Sequence, residues 1–196
     1  MATYKGKFVS RAGEKVNAAL DAFNLDVAGL ICADFGCNVG GFTDCLLQRD
    51  AEKVYAVDTG YGALAWKLRK DDRVEVMERT NALHTDAPEL VDLVVIDLAW
   101  TCQIMGVPAA ANWLKPDGKI VSLLKPSFEY PKIYGKKSYK PISDEQAQEI
   151  VDYVTDNLKE AGFPTSAVCC SPIRGKGGNL EFLLLFEAQN FTISQS

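Results

Sequence analysis

Histidine is almost missing from this 196-residue chain, where His84 is the only one. Six cysteines are present, but no two stand as C-x-x-C. Zinc sites of the usual ligand spacing are thereby excluded, and no metal is expected. Cysteines in this pattern suit a reducing cytoplasm, and adjacent Cys169 and Cys170 read as small strand residues. No apolar run approaches the roughly 18 residues of a membrane span. The first residues, Met1 to Lys7, lack the apolar core of a signal peptide.

What is present centres on Leu30 to Thr43, LICADFGCNVGGFT. Leu30 to Ala33 reads as a buried strand, Asp34 and three glycines follow, and Phe42 to Leu47 reads as the start of a helix. Glycines let a backbone approach a ligand, and a helix N-terminus offers free N–H groups. The spacing is G-x-x-x-G-G. That is neither the dinucleotide G-x-G-x-x-G nor the phosphate loop G-x-x-x-x-G-K. The stretch is either a nucleotide cradle or a tight turn that holds nothing.

The net charge of −5 argues against a nucleic-acid partner until its distribution is read. Residues 1–15, 125–140 and 172–181 together hold 11 basic and 3 acidic side chains, against 10 and 23 in the rest. If these segments converge, one face is basic on an acidic body. Otherwise they are solvated loops.

Along the chain, Ser10 is expected to cap a helix with Val16, Ala19, Leu20 and Phe23 on one face. Short apolar strands are expected at 53–57, 73–77, 91–96 and 119–124, with helices at 62–69 and 104–113 and a turn at Pro116-Asp117-Gly118. Residues 126–141 show no clear period and read as a long functional loop. Ser143 and Gln146 form a capping box that opens a helix ending at Gly162. Strands at 166–171 and 180–187 close the chain. Alternation of strand and helix implies an α/β fold: a mostly parallel sheet with helices on both faces. The last strand follows the sixth with no helix between, so it should be antiparallel.

Ligands of such sheets sit beyond the carboxyl ends of the strands. Asp58 ends the second strand, where an acid can accept the hydroxyls of a ribose; it is otherwise a turn residue. Asp97 ends the fourth beside the cradle, or caps a helix. Asn81 follows the third, facing a base edge or serving its own loop. Lys125 follows an apolar strand directly. Glu181 leads another, where a carboxylate wants a cationic partner. Lys15, alone, would be a solvated lysine.

Taken together these residues carry a resemblance. Ser10-Arg11-Ala12-Gly13-Glu14-Lys15, Asp34-Phe35-Gly36-Cys37-Asn38-Val39-Gly40-Gly41-Phe42-Thr43 and Val54 to Asp58 resemble the TlyA branch of the FtsJ-type methyltransferases. So do Glu78 to Asn81, Asp92 to Asp97, Lys125 to Glu129 and Gly178 to Phe182. The likeness runs from about Phe8 to Glu187. It implies a Rossmann-like class I methyltransferase fold of seven strands. It also implies transfer of a methyl group from S-adenosylmethionine to the ribose 2′-hydroxyl of RNA, ribosomal RNA in this branch. The catalytic tetrad it implies is Lys15, Asp97, Lys125 and Glu181, with Lys125 as general base. Cofactor contacts are expected from Asp34, Gly36, Cys37, Asn38, Gly40, Gly41, Phe42 and Thr43, with Asp58, Thr59, Asn81 and Asp97. A basic loop from Tyr130 to Lys140, with three tyrosines among its lysines, is expected to contact RNA.

Two departures from the family stand out. Its members usually begin with a small RNA-binding domain, so residues 1–196 are expected to be the methyltransferase domain alone. After Asp97 the chain reads Leu98-Ala99-Trp100-Thr101, where a Ser-Phe-Ile run is common. Some relatives are described as haemolysins. A membrane-active protein that retains the fold without the chemistry is therefore the competing reading.

Overall fold

The computed structural model describes residues 4–99, 101–135, 142–175 and 177–192. Its elements are α1 (Ala12–Ala22), β1 (Ile31–Phe35), α2 (Gly41–Gln48), β2 (Lys53–Asp58), α3 (Trp66–Arg69), β3 (Val74–Glu78) and β4 (Val91–Ile96). They continue with α4 (Gln103–Ala111), β5 (Leu114–Leu124), α5 (Pro126–Tyr134), α6 (Asp144–Glu160), β6 (Ala167–Cys170) and β7 (Phe182–Glu187). The strands form one sheet in the order β3-β2-β1-β4-β5-β7-β6. β1 to β5 pair in parallel, and β7 runs antiparallel to both β5 and β6. This is the seven-stranded arrangement expected of the Rossmann-like methyltransferases.

Because side chains alternate across a strand, each face of the sheet receives its own core. On one face Val16, Ala19 and Leu20 of α1 pack with Phe42, Leu46 and Leu47 of α2 over Cys32, Val54 and Leu183. On the other, Val107 and Ala110 of α4 and Ile150, Val151, Val154 and Leu158 of α6 cover Phe35, Ile120 and Phe186. Trp113 fills this second core. Its ring meets Phe35 edge-on at 5.0 Å, and its indole N–H donates to the Thr85 carbonyl at 2.9 Å.

Several expectations shift. Residues 126–134 are helix, not loop: Pro126 occupies the first helical position, where its missing N–H is harmless. Tyr130 and Tyr134, one turn apart, pack with ring centroids 4.7 Å apart. The remainder of the expected basic loop, 136–141, lies outside the described residues, as does Trp100. Helix α3 is one turn only, because Gly60 and Gly62 keep the chain before it extended and looped. Pro116-Asp117-Gly118 falls inside β5 as a register shift, since Val91 pairs with Leu114 but Leu93 with Lys119. Arg11, not Ser10, stands at the start of α1, and no side chain caps it. Ser10 packs instead on Gly41, where a Cβ would come 2.3 Å from its Oγ.

The Ser143–Gln146 capping box is present, with the Gln146 N–H donating to Ser143 Oγ at 3.2 Å and the reciprocal bond at 3.2 Å. Ser143→Ala should therefore destabilise the protein by about 1 kcal/mol, lowering its melting temperature by roughly 2–4 °C. Thermal unfolding followed by circular dichroism checks this.

Candidate active site

Three strand ends and helix α1 position the four residues of the expected tetrad. Asp97 continues the β1–β4 ladder by one residue, its N–H donating to the Phe35 carbonyl at 2.9 Å. Leu124 pairs with Phe182, so Lys125 and Glu181 are the next residues outward on neighbouring antiparallel strands. The Lys125 ammonium forms an ion pair with Asp97 Oδ1, and the Lys15 ammonium one with Glu181 Oε2. Lys15 is 8 % exposed and Glu181 6 %, so neither charge is solvated on its own.

Lys15 reaches this position because α1 is pinned at its start. Close packing at Gly41 brings Ser10, Ala12 and Gly13 onto the head of α2. Val9 N–H donates to Asp44 Oδ2 at 2.7 Å, and the Arg11 guanidinium donates to the Arg174 carbonyl at 2.9 Å. On the far side Gly175 lies against Glu181: a Cβ there would come 2.0 Å from the carboxylate oxygen Oε1. Gly175 thus packs directly against the pair.

Beside the tetrad the cradle opens two hollows. The larger, about 440 Å³, is lined by Gly36, Asn38, Asp58, Thr59, Asn81 and Asp97 among the expected residues, and by Lys125. Thr80, Ala82, Leu83 and Ala99 line it as well; uncharged residues of common types, they carry no sequence signal of ligand contact. The smaller, about 90 Å³, takes in Asp34, Gly36, Cys37, Asn38, Gly41, Phe42 and Asp97. Gly36 and Asp97 border both, which places the Lys125–Asp97 pair where the two meet.

Gly36 has φ +88, and a Cβ would come 2.6 Å from the Asp97 carbonyl oxygen, so only glycine lets the two strand ends approach. Asp58 Oδ2 accepts from Asn38 N–H at 2.9 Å and Oδ1 from Gly60 N–H at 2.7 Å. Both oxygens keep a lone pair for a ligand. Asn81 lines the cleft, but its Oδ1 accepts from Leu83 N–H at 3.0 Å and closes an Asx turn. Two expected contacts play other parts. Gly40 packs against Leu64 and Leu68 and starts α2 in a left-handed conformation. Thr43 is fully buried and donates from both N–H and Oγ1 to Asp34 Oδ2, at 2.9 and 2.6 Å.

Asp34 is the least solvated acid of the site. Burial pushes its carboxyl up to about 7; the Thr43 hydrogen bonds work against that, and the charges of Asp97 and Asp58 add to it. Its Oδ1 has no hydrogen-bond partner among the described residues. The fit to S-adenosylmethionine rests on these features: an acid with a free oxygen, a second acid at the end of β2, and a glycine that admits close approach. Among the described residues no group of His, Cys, Asp and Glu could hold a metal ion.

Asp34 also sets a pH dependence. A carboxyl with a folded pKa near 7, above the ordinary 3.8, stays protonated in the folded state after the unfolded chain has lost its proton. Its contribution to stability is therefore present at low pH and lost as pH rises from about 4 to about 7. Asp34→Asn removes that loss. The stability of the variant relative to wild type should rise over this interval in denaturant titrations, and a constant difference would contradict the assignment. Gly175→Ala, in turn, should displace Glu181 from Lys15, lowering methyl transfer more than cofactor affinity when both are assayed.

The FtsJ-like methyltransferase family matches residues 8–188. The 16S/23S rRNA (cytidine-2'-O)-methyltransferase TlyA of Mycobacterium tuberculosis is 41% identical over 189 residues, which are 93% of this chain and 69% of that protein. Hemolysin A of Brachyspira hyodysenteriae is 35% identical, over 92% of this chain and 77% of its own length. A solved structure of a candidate hemolysin from Lactococcus lactis superposes with a TM-score of 0.86 at 34% identity, covering 97% of this chain and 94% of the other. With the family matched over nearly its whole length, this chain belongs to the FtsJ-like methyltransferases.

Proposed function

We infer that the chain methylates the ribose 2′-hydroxyl of ribosomal RNA, with S-adenosylmethionine as donor. The observation that carries this reading is the Lys125–Asp97 ion pair, which borders the same cleft as Gly36 and Asp58. The name of the Mycobacterium tuberculosis relative supplies the nucleic acid and the hydroxyl.

S-adenosylmethionine, when bound, supplies a methyl group on a positively charged sulfur. The protein's residues then have separable tasks. Asp58 accepts the ribose hydroxyls of the cofactor, Gly36 lets its backbone come close, and the free Asp34 oxygen suits its amino group. Orientation supplies much of the rate, because donor and acceptor oxygen must align for in-line transfer. An RNA hydroxyl is a poor nucleophile until its proton leaves. Lys125 Nζ takes that proton and must enter the step as a free amine. Asp97 fixes the direction of Nζ. Glu181 and Lys15 hold each other at the far side.

Hemolysin names among the relatives favour a second reading, in which the fold acts on membranes. No helix of the described residues is long and apolar enough to cross a membrane. Ribosomal RNA incubated with the protein and S-adenosylmethionine, then mapped by mass spectrometry, should gain methyl groups on ribose. Methyl groups on bases, or liposome leakage without any methylation, would overturn the proposal. Lys125→Ala should lower the rate by about 10²–10⁴-fold while cofactor binding persists. Near-normal turnover would remove Lys125 from the base role.

A further inference from the structure

Tyr61 and Trp66 are the most exposed large apolar side chains of the described residues, at 72 % and 70 %. Single exposed aromatics are ordinary. These two stand close in sequence, Tyr61 in the turn after β2 and Trp66 at the start of α3, and each carries a cation on its ring. The Arg79 guanidinium lies 4.2 Å from the Tyr61 centroid, and the Lys70 ammonium 4.9 Å from that of Trp66. Among the described residues neither cation has a carboxylate at ion-pair distance. Their neighbours do: Arg69 pairs with Glu78, Arg73 with Asp71 and Lys67 with Asp44.

The segment is also held firmly. Gly62 N–H donates to Glu78 Oε1 at 2.8 Å, Arg79 N–H to the Gly60 carbonyl at 3.0 Å, and Ala65 N–H to the Val39 carbonyl at 3.0 Å. Arg79 adopts φ +53, a left-handed conformation uncommon for a residue other than glycine. Such conformations persist where the surroundings impose them, often at binding sites. The segment adjoins the site as well. Thr59, two residues before Tyr61, lines the larger hollow, and Val39, hydrogen-bonded to Ala65, lines the smaller.

We propose that Tyr61 and Trp66, with Arg79 and Lys70, form a stacking platform for unpaired bases of the RNA substrate flanking the methylated nucleotide. Flat exposed rings accept base faces, and cations without acidic partners accept the phosphates between them. A protein partner would call for a broader apolar surface, and here the rings are edged by charge. The proposal rests on the RNA-methyltransferase reading and adds a surface to it at the β2–β3 side of the cofactor cleft, away from β5 and β7.

The test compares wild type with the Tyr61→Ala/Trp66→Ala double variant. Each is titrated into a fluorescein-labelled single-stranded oligoribonucleotide and into a fully paired hairpin of the same composition. The platform predicts single-strand affinity weakened about tenfold or more, with hairpin affinity unchanged. Calorimetry should give the same S-adenosylmethionine affinity for both proteins, which shows that the variant is folded. Arg79→Gln should lower the salt dependence of RNA binding by about one phosphate contact. Unchanged single-strand affinity overturns the platform, as does equal weakening on the hairpin. Loss of self-association in the variant with RNA binding intact would make the rings a protein contact and overturn it too. Absence of methylation by the wild-type protein is a separate failure, and strikes the functional reading.

Discussion

Two ammonium groups and two carboxylates pair off where β4 and β5 end and β7 begins, and the geometry of the site follows from how they pair. Charges taken out of water are expensive unless each finds an opposite charge in good geometry. Lys15 and Glu181 satisfy each other in a nearly closed space, while Lys125 and Asp97 do so at the edge of the cleft. Moving any one of the four would strand its partner. The same pairing that stabilises the ends of the strands therefore fixes where the Lys125 ammonium sits at the edge of the cleft.

That arrangement depends on the sheet and on two glycines outside it. Antiparallel insertion of β7 beside β5 sets Glu181 next to Lys125, because the residue that leads into β7 then lies beside the residue that leaves β5. Gly41 lets the start of α1 lie on α2, so that Lys15 arrives at the correct depth, and Gly175 leaves room for the Glu181 carboxylate. Gly36 does the equivalent on the cofactor side, bringing Asp97 against the cradle. The ion-paired cluster and the cleft are thus parts of one packing solution, joined at Asp97.

Much of this was legible in the residues. Apolar runs of strand length and their alternation with helices gave the α/β sheet, and the missing helix before β7 gave its direction. The capping box placed α6. Asp58 was readable as a cleft residue, because the carboxyl end of a parallel strand faces the ligand side of such a sheet. The tetrad was not readable from spacing: Lys15 and Glu181 stand 166 positions apart, and their meeting is a tertiary event. It came from resemblance to a family. Finer roles were hidden for the same reason. Thr43 looked like a ligand contact, yet its donors turn inward to Asp34. Asn81 looked ready for a base, but a short polar side chain in a turn first serves its own backbone. Helix α5 was missed because two prolines and a run of aromatics obscure its period, although Pro126 is a valid start.

The most direct test of the account is a double-mutant cycle across the buried pair, read by denaturant unfolding of Lys15→Met, Glu181→Leu and the combination. If the two charges are held by each other, each single change should cost about 3–5 kcal/mol and the double change should recover most of that loss. Small and additive effects would mean that the two side chains do not depend on one another, and the central claim would be wrong.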